Sequence, residues 1–520
     1  MAIGEVDGPF GVPVPDREAA SELRHETLNL FDSTAVAVSS VAPAYSLAAT
    51  MGLLFATPGV AYAGPSVIIL SFIPVLFIAV AYFHLNRKDP DCGASYSWLA
   101  KLVTPFAGWF NGWVQICTSV LFCVSAPVLA GITTMYLFNQ LHWVSYATSQ
   151  SVGWTAFAGA IWLLFVAFIC IWGIRWTTNF QWIMVIIEYV CVVVFSVWAI
   201  VRVWIDHPAH SMGMHWSWFN PFSLTGFSAL SAGIVLGVFF FWGWDTSVNL
   251  NEESKQATHN PGRAGVISMF LLLVVFLINI VAAQMTLTPD QIQNSGSNIL
   301  FLFAQVSLGG WAKYLMIIAV LSSTVGTTQT TLLPAARITL SMSRDRVFPK
   351  VFSYIHGQRK TPAIGTAILA GICLLGIVAT AKSPTVSTYF TELINNIGVL
   401  IAFYYGATGL TCAWAYRKVA FTSVKFFFTG VLLPGFSGAI LLAVAYDVWH
   451  LASQADQAWP ITISLILGIP AAAWAMQHRA NVAFRAAFRS MRPTEQSAFT
   501  ELMANDDYFT FKSVAYDSID

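Results

Sequence analysis

Charge is what this chain has least of. Only 10% of its 520 residues are Asp, Glu, Lys or Arg, against 57% hydrophobic and 14% aromatic. A soluble domain carries about 25% charged residues, and no soluble fold of this length covers its surface with so few. The composition excludes a soluble globular protein and points to an integral membrane one. The formal net charge of +0 leaves no reason to expect nucleic acid as a partner. The first 32 residues mix acids and bases and do not read as a secretory leader. Six of the seven cysteines lie inside apolar runs and Cys92 in a polar loop. None forms a CxxC or a Cys/His cluster, so core-filling thiols are expected rather than a disulfide or metal site. The ten histidines fall mainly in loops and do not group with acids. There is no Walker loop and no HExxH, and with them goes the expectation of an enzyme or a bound cofactor.

What the chain has instead is long apolar runs. A bilayer core takes about 20 apolar residues per helix. On that rule the sequence predicts twelve spans, near 33–56, 65–85, 106–138, 153–172, 180–205, 226–250, 264–286, 311–333, 362–381, 392–415, 426–446 and 459–477. The third is long enough to tilt or to project beyond the membrane. With the N-terminus inside, 22 of the 25 Lys and Arg fall on the inner side, leaving only Arg202, Lys313 and Lys382 outside. That asymmetry follows the positive-inside rule and predicts that both ends are cytoplasmic. Residues 1–32 then form a cytoplasmic N-terminal segment and 479–520 a cytoplasmic tail ending in the acidic, aromatic NDDYFTF and beyond.

Two spans carry a helix breaker. The first reads STAVAVSSVAPAYSLAAT, and Pro43 predicts a kink or opening around Ser40 to Ala42. The sixth reads GVFFFWGWDTSV, with Gly243 as its weak point. Span one opens a first group of five (33–205) and span six a second group of five (226–415), with 426–478 as two additional helices. Five is odd, so the groups insert in opposite senses. Interrupted helices at matching positions of inverted repeats point to the binding site of a transporter.

The stretch GWDTSVNLNEESKQATHNPGRAGVIS, a Gly-x-acid followed by Glu-Glu and Asn-Pro-x-Arg, resembles the span-six signature of the amino acid–polyamine–organocation (APC) permeases. DCGASYSWLAKLVTPFAGWFNGW and PAARITLSMSRDRVFPKVF agree with it, and the resemblance covers roughly residues 30 to 478. It implies an all-α membrane fold of two inverted five-helix repeats plus two helices, with solute held mid-membrane by the unwound parts of spans one and six. In one place the chain departs from the pattern. Such permeases carry Gly-x-Gly at the span-one break, where bare amides receive a substrate carboxylate. Here Ser39-Ser40-Val41-Ala42-Pro43 stands there.

The candidate site residues follow. Asp245 lies about one to two helical turns inside the inner boundary. A carboxylate in a low-dielectric pocket suits an amine or guanidinium, and Phe241, Trp242 and Trp244 beside it and Gly243 offer aromatic faces to the same cation. The competing reading makes the rings lipid-facing and Asp245 a cap. Ser39, Ser40 and amides near Val41 and Ala42 are expected to hold the other end of the solute. Glu188, in QWIMVIIEYVCVVVF, is an intramembrane carboxylate suited to relaying protons, or simply a protonated acid bonded to a carbonyl. Ser322 and Ser323 could ligate a sodium ion, or bond back to their own helix. Proton coupling is preferred and sodium coupling stays open. Glu252 and Glu253 are expected in ion pairs at the inner boundary, while Gln115 and Asn111 could reach the cavity and Asn279 could bond between helices.

The expectation is a secondary active permease of the plasma membrane importing an amino acid or related organic amine. A diamine or polyamine carrier, an exchanger, a sodium symporter, a channel and a transporter-like amine sensor are the rivals. No protein partner is indicated, and the oligomeric state is not legible.

Overall fold

The computed structural model describes residues 27–477 except 61, 173, 209–210, 295, 346, 358, 381–385 and 455–457. The tail 479–520, most of the segment 1–32, and with them Arg17, Arg24, Arg346 and Lys382 of the charge count, lie outside the described residues.

Among the described residues the chain is helical, and its one β-type pairing is an isolated parallel bridge between Leu28 and Ser254. The main helices are α1 (Leu30–Val41), α2 (Pro43–Ala56), α3 (Gly64–Lys88), α4 (Ser95–Leu102), α5 (Pro105–Gln140), α6 (Val152–Trp172), α7 (Ile174–Asp206) and α8 (Phe227–Phe240). After a one-turn α9 (Thr246–Asn249) come α10 (Asn260–Thr286), α11 (Ile299–Leu308), α12 (Gly310–Arg344), α13 (Ala363–Thr380), α14 (Val386–Tyr416), α15 (Leu433–Gln454) and α16 (Trp459–Gln477). Among the described residues, ten helical segments are long and apolar enough to cross a membrane, counting α1 and α2 as one. The protein is a multi-pass membrane protein. The other two expected spans are shorter apolar helices, α8 with 14 residues and the apolar part of α16 at Ile461–Ala473.

Burial sorts the helices. The windows of α1–α2 and α12 are 94% and 83% buried, whereas those of α6, α7 and α13 are each 39% buried. Helices apolar all round yet half exposed face lipid; the polar-rich α12, with its run of Ser and Thr, sits inside. Its length is also unexpected. Hydropathy ends that span near residue 333, which places Arg337 and Arg344 in a loop, but the helix runs on to Arg344 and buries Arg337 to 1% exposure. A guanidinium at that depth needs a partner. Glu253 supplies it.

At the end rich in Arg and Lys, here the basic end, the chain before α1 is stitched to the chain after α9. The Thr27 and Leu28 amides donate to the Glu253 carbonyl at 2.9 and 3.1 Å, and the Lys255 amide donates to the Leu28 carbonyl at 2.7 Å. Leu28, Val36 and Leu250 close a small apolar cluster over this clasp.

Candidate functional site

The first break is a single residue. Ala42 takes a left-handed conformation, φ 50 and ψ 74, which ends α1 and turns the chain into Pro43. Proline suits the first position of α2, where its missing N–H would have no helical partner anyway. The expectation of free amides at Val41 and Ala42 is corrected here. Val41 lies inside α1, and the Ala42 amide still donates to the Val38 carbonyl at 3.1 Å. The donors actually released are those of the first turn of α2, and both are occupied. The Ala44 amide donates to Glu188 Oε1 at 2.7 Å, and the Tyr45 amide to Ser323 Oγ at 2.9 Å. Ser323 Oγ in turn donates to Glu188 Oε1 at 2.8 Å. On the carbonyl side, Thr327 Oγ1 donates to Ser40 O at 2.6 Å and Ser46 Oγ to Val41 O at 2.7 Å. Glu188 and Ser323 thus act together as a cap. The two serines considered for sodium are split, because Ser322 Oγ donates back to Ala319 O at 2.9 Å.

The second break runs from Phe241 to Asp245, between α8 and α9. Gly243 has φ +116, and a Cβ there would meet the Ser40 carbonyl carbon and oxygen at 2.8 Å. Glycine is therefore required twice over, by the dihedral and by the approach of the first break. Ser40 Oγ and Thr246 Oγ1 join the two breaks at 2.8 Å, and Thr246 Oγ1 also donates to the Thr330 carbonyl at 3.1 Å.

Asp245 is 7% exposed. Tyr404 Oη donates to its Oδ2 at 3.2 Å and Tyr405 Oη to its Oδ1 at 3.1 Å, while Trp242 Nε1 donates to Tyr404 Oη. Among the described residues it makes no ion pair. It borders a cavity of ≈ 20 Å³, room for about one water, whose other walls include Ser40, Gln115, Trp242, Thr246 and Asn249. None of the lining residues is basic. Of the aromatic trio only Trp242 lines the cavity. Phe241 turns to Phe72 and Phe276, and Trp244 packs on Tyr82 and Tyr405, so neither faces a cation beside Asp245. Ser39 is buried but off the cavity wall, and Asn111 is anchored by Ser95 Oγ at 2.9 Å. Asn279 bonds across helices to Ser196 Oγ at 2.7 Å. Phe122 meets Trp242 edge-on and Phe239 lies tilted against it, and Tyr45 packs on both of those rings behind the chamber wall.

The basic end carries its own ion pairs. Glu253 and Arg337, each 1% exposed at the side chain, form a bidentate pair in which Nε donates to Oε2 at 2.9 Å and Nη2 to Oε1 at 3.1 Å, and Glu252 meets Arg344 at 3.1 Å. Asp91, Cys92 and Glu252 bring one ligand-type atom each within 4.8 Å of the others, a grouping of Cys92 with acids that the sequence did not reveal. Its charge is already matched. Asp91 accepts from Gly93, Ser97 and Ser341 and sits 3.5 Å from Lys101, and Glu252 is held by Arg344. Burial pushes the Asp91 carboxyl up, but Lys101 and those three hydrogen bonds outweigh it and hold it below its ordinary range. The neighbouring Asp345, which accepts from Tyr96 Oη at 2.7 Å, is pushed up to about 6 by burial and by Asp91.

Comparison with known proteins decides the family, for the amino acid permease profile matches residues 28–473. The chain belongs to that family, within the APC superfamily. Its relatives differ in what they carry. The chain is 24% identical over 347 residues to the large neutral amino acids transporter small subunit 2 of Homo sapiens, covering 66% of this chain and 60% of that one. It is 24% identical over 375 residues to the low-affinity putrescine importer PlaP of Escherichia coli K12, covering 70% and 76%. It is 25% identical over 355 residues to the methylthioribose transporter of Bacillus subtilis, covering 64% and 70%. All three are transporters rather than enzymes by name.

Proposed function

We propose that this protein is a secondary active permease that moves an amino acid or related organic amine across the plasma membrane by alternating access. It would cross the membrane twelve times, as two inverted five-helix repeats plus two helices, with both ends cytoplasmic. The basic end is then the inner face, in keeping with the positive-inside rule. Asp245 grips the ammonium group, Trp242 offers it an aromatic face, and Ser40 and Thr246 border the rest of the solute. The observation that carries this reading is the provisioning of Asp245. A buried carboxylate held by two neutral phenols and bordering a cavity lacks only a cation.

The chamber of ≈ 20 Å³ has room for about one water, so a solute enters or leaves only if a wall parts. Inward release would separate Arg337 from Glu253; outward opening would part Tyr45, Phe122 and Phe239. Glu188 is the proposed proton carrier. Its carboxylate bridges α2 and α12 through Ala44 and Ser323, and protonation would weaken that bridge and loosen the first break. Purified protein in proteoliposomes tests the proposal, with amines and amino acids offered under a proton or a sodium gradient. Accumulation driven by the proton gradient is expected. Accumulation driven only by sodium would reassign the coupling ion, flux without accumulation would make the protein a channel, and binding without flux a sensor.

A further inference from the structure

Positive charge at the basic end is used in two ways. Lys101, Arg337 and Arg344 each face an acid, namely Asp89, Glu253 and Glu252. The turn between α14 and α15 differs. Residues 393–446 contain no Asp or Glu, yet the turn and the residues just after it carry Arg417, Lys418 and Lys425, all exposed. A fourth cation comes from another helix. Tyr416 Oη donates to the His84 carbonyl at 2.9 Å, and Phe426 packs edge-on against the Tyr416 and His84 rings at 5.3 and 5.4 Å. This knot pins the end of α3 to the end of α14 and sets Lys88 Nζ 5.9 Å from the centre of the Tyr416 ring. Asp89, the next residue, is turned to Lys101.

Arg417 is fixed in direction. Its guanidinium lies 3.5 Å over the Trp414 ring and donates to the Trp414 carbonyl, which leaves further N–H groups of the fork for an anion. Among these cations the chain exposes large apolar side chains. Phe421 is 89% and Val424 76% exposed, and Trp414 and Phe428 are exposed as well. The whole patch lies where one membrane-crossing helix, Glu392–Tyr416, gives way to the next, Val424–Gln454. Cations interleaved with exposed rings at such a boundary match a partner that is anionic at its head and apolar below it. A soluble anion would use the cations alone; a phospholipid uses both.

We propose that the α14–α15 turn, together with Lys88, is a binding site for an anionic phospholipid. Its phosphate lies among Arg417, Lys418, Lys425 and Lys88, and its chains run along Phe421, Val424 and Phe428. The site is separate from the central cavity and holds whichever solute that cavity takes.

The full-length protein in detergent is titrated with phosphatidylglycerol, phosphatidylcholine or glycerol 3-phosphate. Bound lipid is counted by native mass spectrometry, and the unfolding temperature is followed alongside. Phosphatidylglycerol is expected to bind at least about tenfold more tightly than phosphatidylcholine, to raise the unfolding temperature, and to lose part of its advantage as salt is added. The combined variant Arg417→Gln, Lys418→Gln, Lys425→Gln is expected to abolish that preference. The combined variant Lys350→Gln, Arg359→Gln, Lys360→Gln removes the same charge elsewhere at the basic end and is expected to keep it. Phe421→Ser with Val424→Ser is expected to weaken phosphatidylglycerol binding. Equal binding of the two lipids by the wild type would overturn the proposal. So would equal loss in both charge variants, which would mean that surface charge alone is read. An equally strong effect of glycerol 3-phosphate would make this an anion site and not a lipid site. If the first charge variant does not fold, the wild-type comparison of the three ligands and the Phe421/Val424 variant still decide.

Discussion

Asp245 and Glu253 lie on one short stretch of chain, both buried, yet they are provided for in opposite ways. Glu253 meets a guanidinium in a two-point contact with Arg337, and its backbone carbonyl is used as well, by Thr27 and Leu28. Asp245 receives two phenol hydroxyls, no cation among the described residues, and a cavity. Burying a carboxylate costs several kcal/mol unless it is paired. The chain meets that cost in full for Glu253 and leaves it half met for Asp245. A complete ion pair is structure; the incomplete one is where the proposed solute would supply the missing cation.

The two acids should therefore respond to mutation in opposite ways. The largest expected effect is that of Arg337→Ala, which strips Glu253 of its guanidinium and is expected to cost about 3–5 kcal/mol of stability, read as a marked fall in the unfolding temperature of the detergent-solubilised protein. Asp245→Asn comes next and inverts the pattern. It is expected to leave the unfolding temperature unchanged or higher, because a partly compensated buried charge is removed, while amine uptake drops about a hundredfold, roughly 3 kcal/mol of lost recognition. Equal loss of stability in both variants would erase the distinction. The smallest effect concerns Asp345, whose carboxyl sits beside the basic-end network with a value near 6. An acid raised in the folded state contributes stability that is complete below its unfolded value and is lost as pH rises through the folded one. Unfolding temperatures measured from pH 4 to 7 are expected to fall in the wild type relative to Asp345→Asn, with most of the change between pH 4 and 6 and a levelling off above it.

The sequence shows where a chain cannot stay helical better than it shows what fills the gap. Pro43 and Gly243 are legible because the breaker acts on its own backbone, and both breaks lie where those residues predict them. Asp245 is legible because a charge in an apolar run has no bland neighbour to hide among. The freed amides were misplaced by a few residues. Helical bonds reach back four positions, so Ala42 stays tied to Val38 and the unpaired donors emerge after the proline, at Ala44 and Tyr45. Tyr404 and Tyr405 left no signal, since two aromatics in an apolar helix read as packing until Asp245 is seen opposite them. Arg337 reads as a loop residue because hydropathy falls beyond residue 333, but α12 is buried by its neighbours rather than by lipid and continues regardless. Of the three rings beside Asp245, the pattern of sequence could not tell that only Trp242 turns inward, because the unwound stretch has no helical period from which to read a face.

The clasp at Thr27, Leu28 and Lys255 has a mechanical consequence. A broken crossing ordinarily yields two halves free to swing separately, and two broken crossings yield four. Here the basic-end halves of both share a leash of three backbone hydrogen bonds, so a pull on one drags the other. If that end opens as proposed, it would do so as one leaf rather than two.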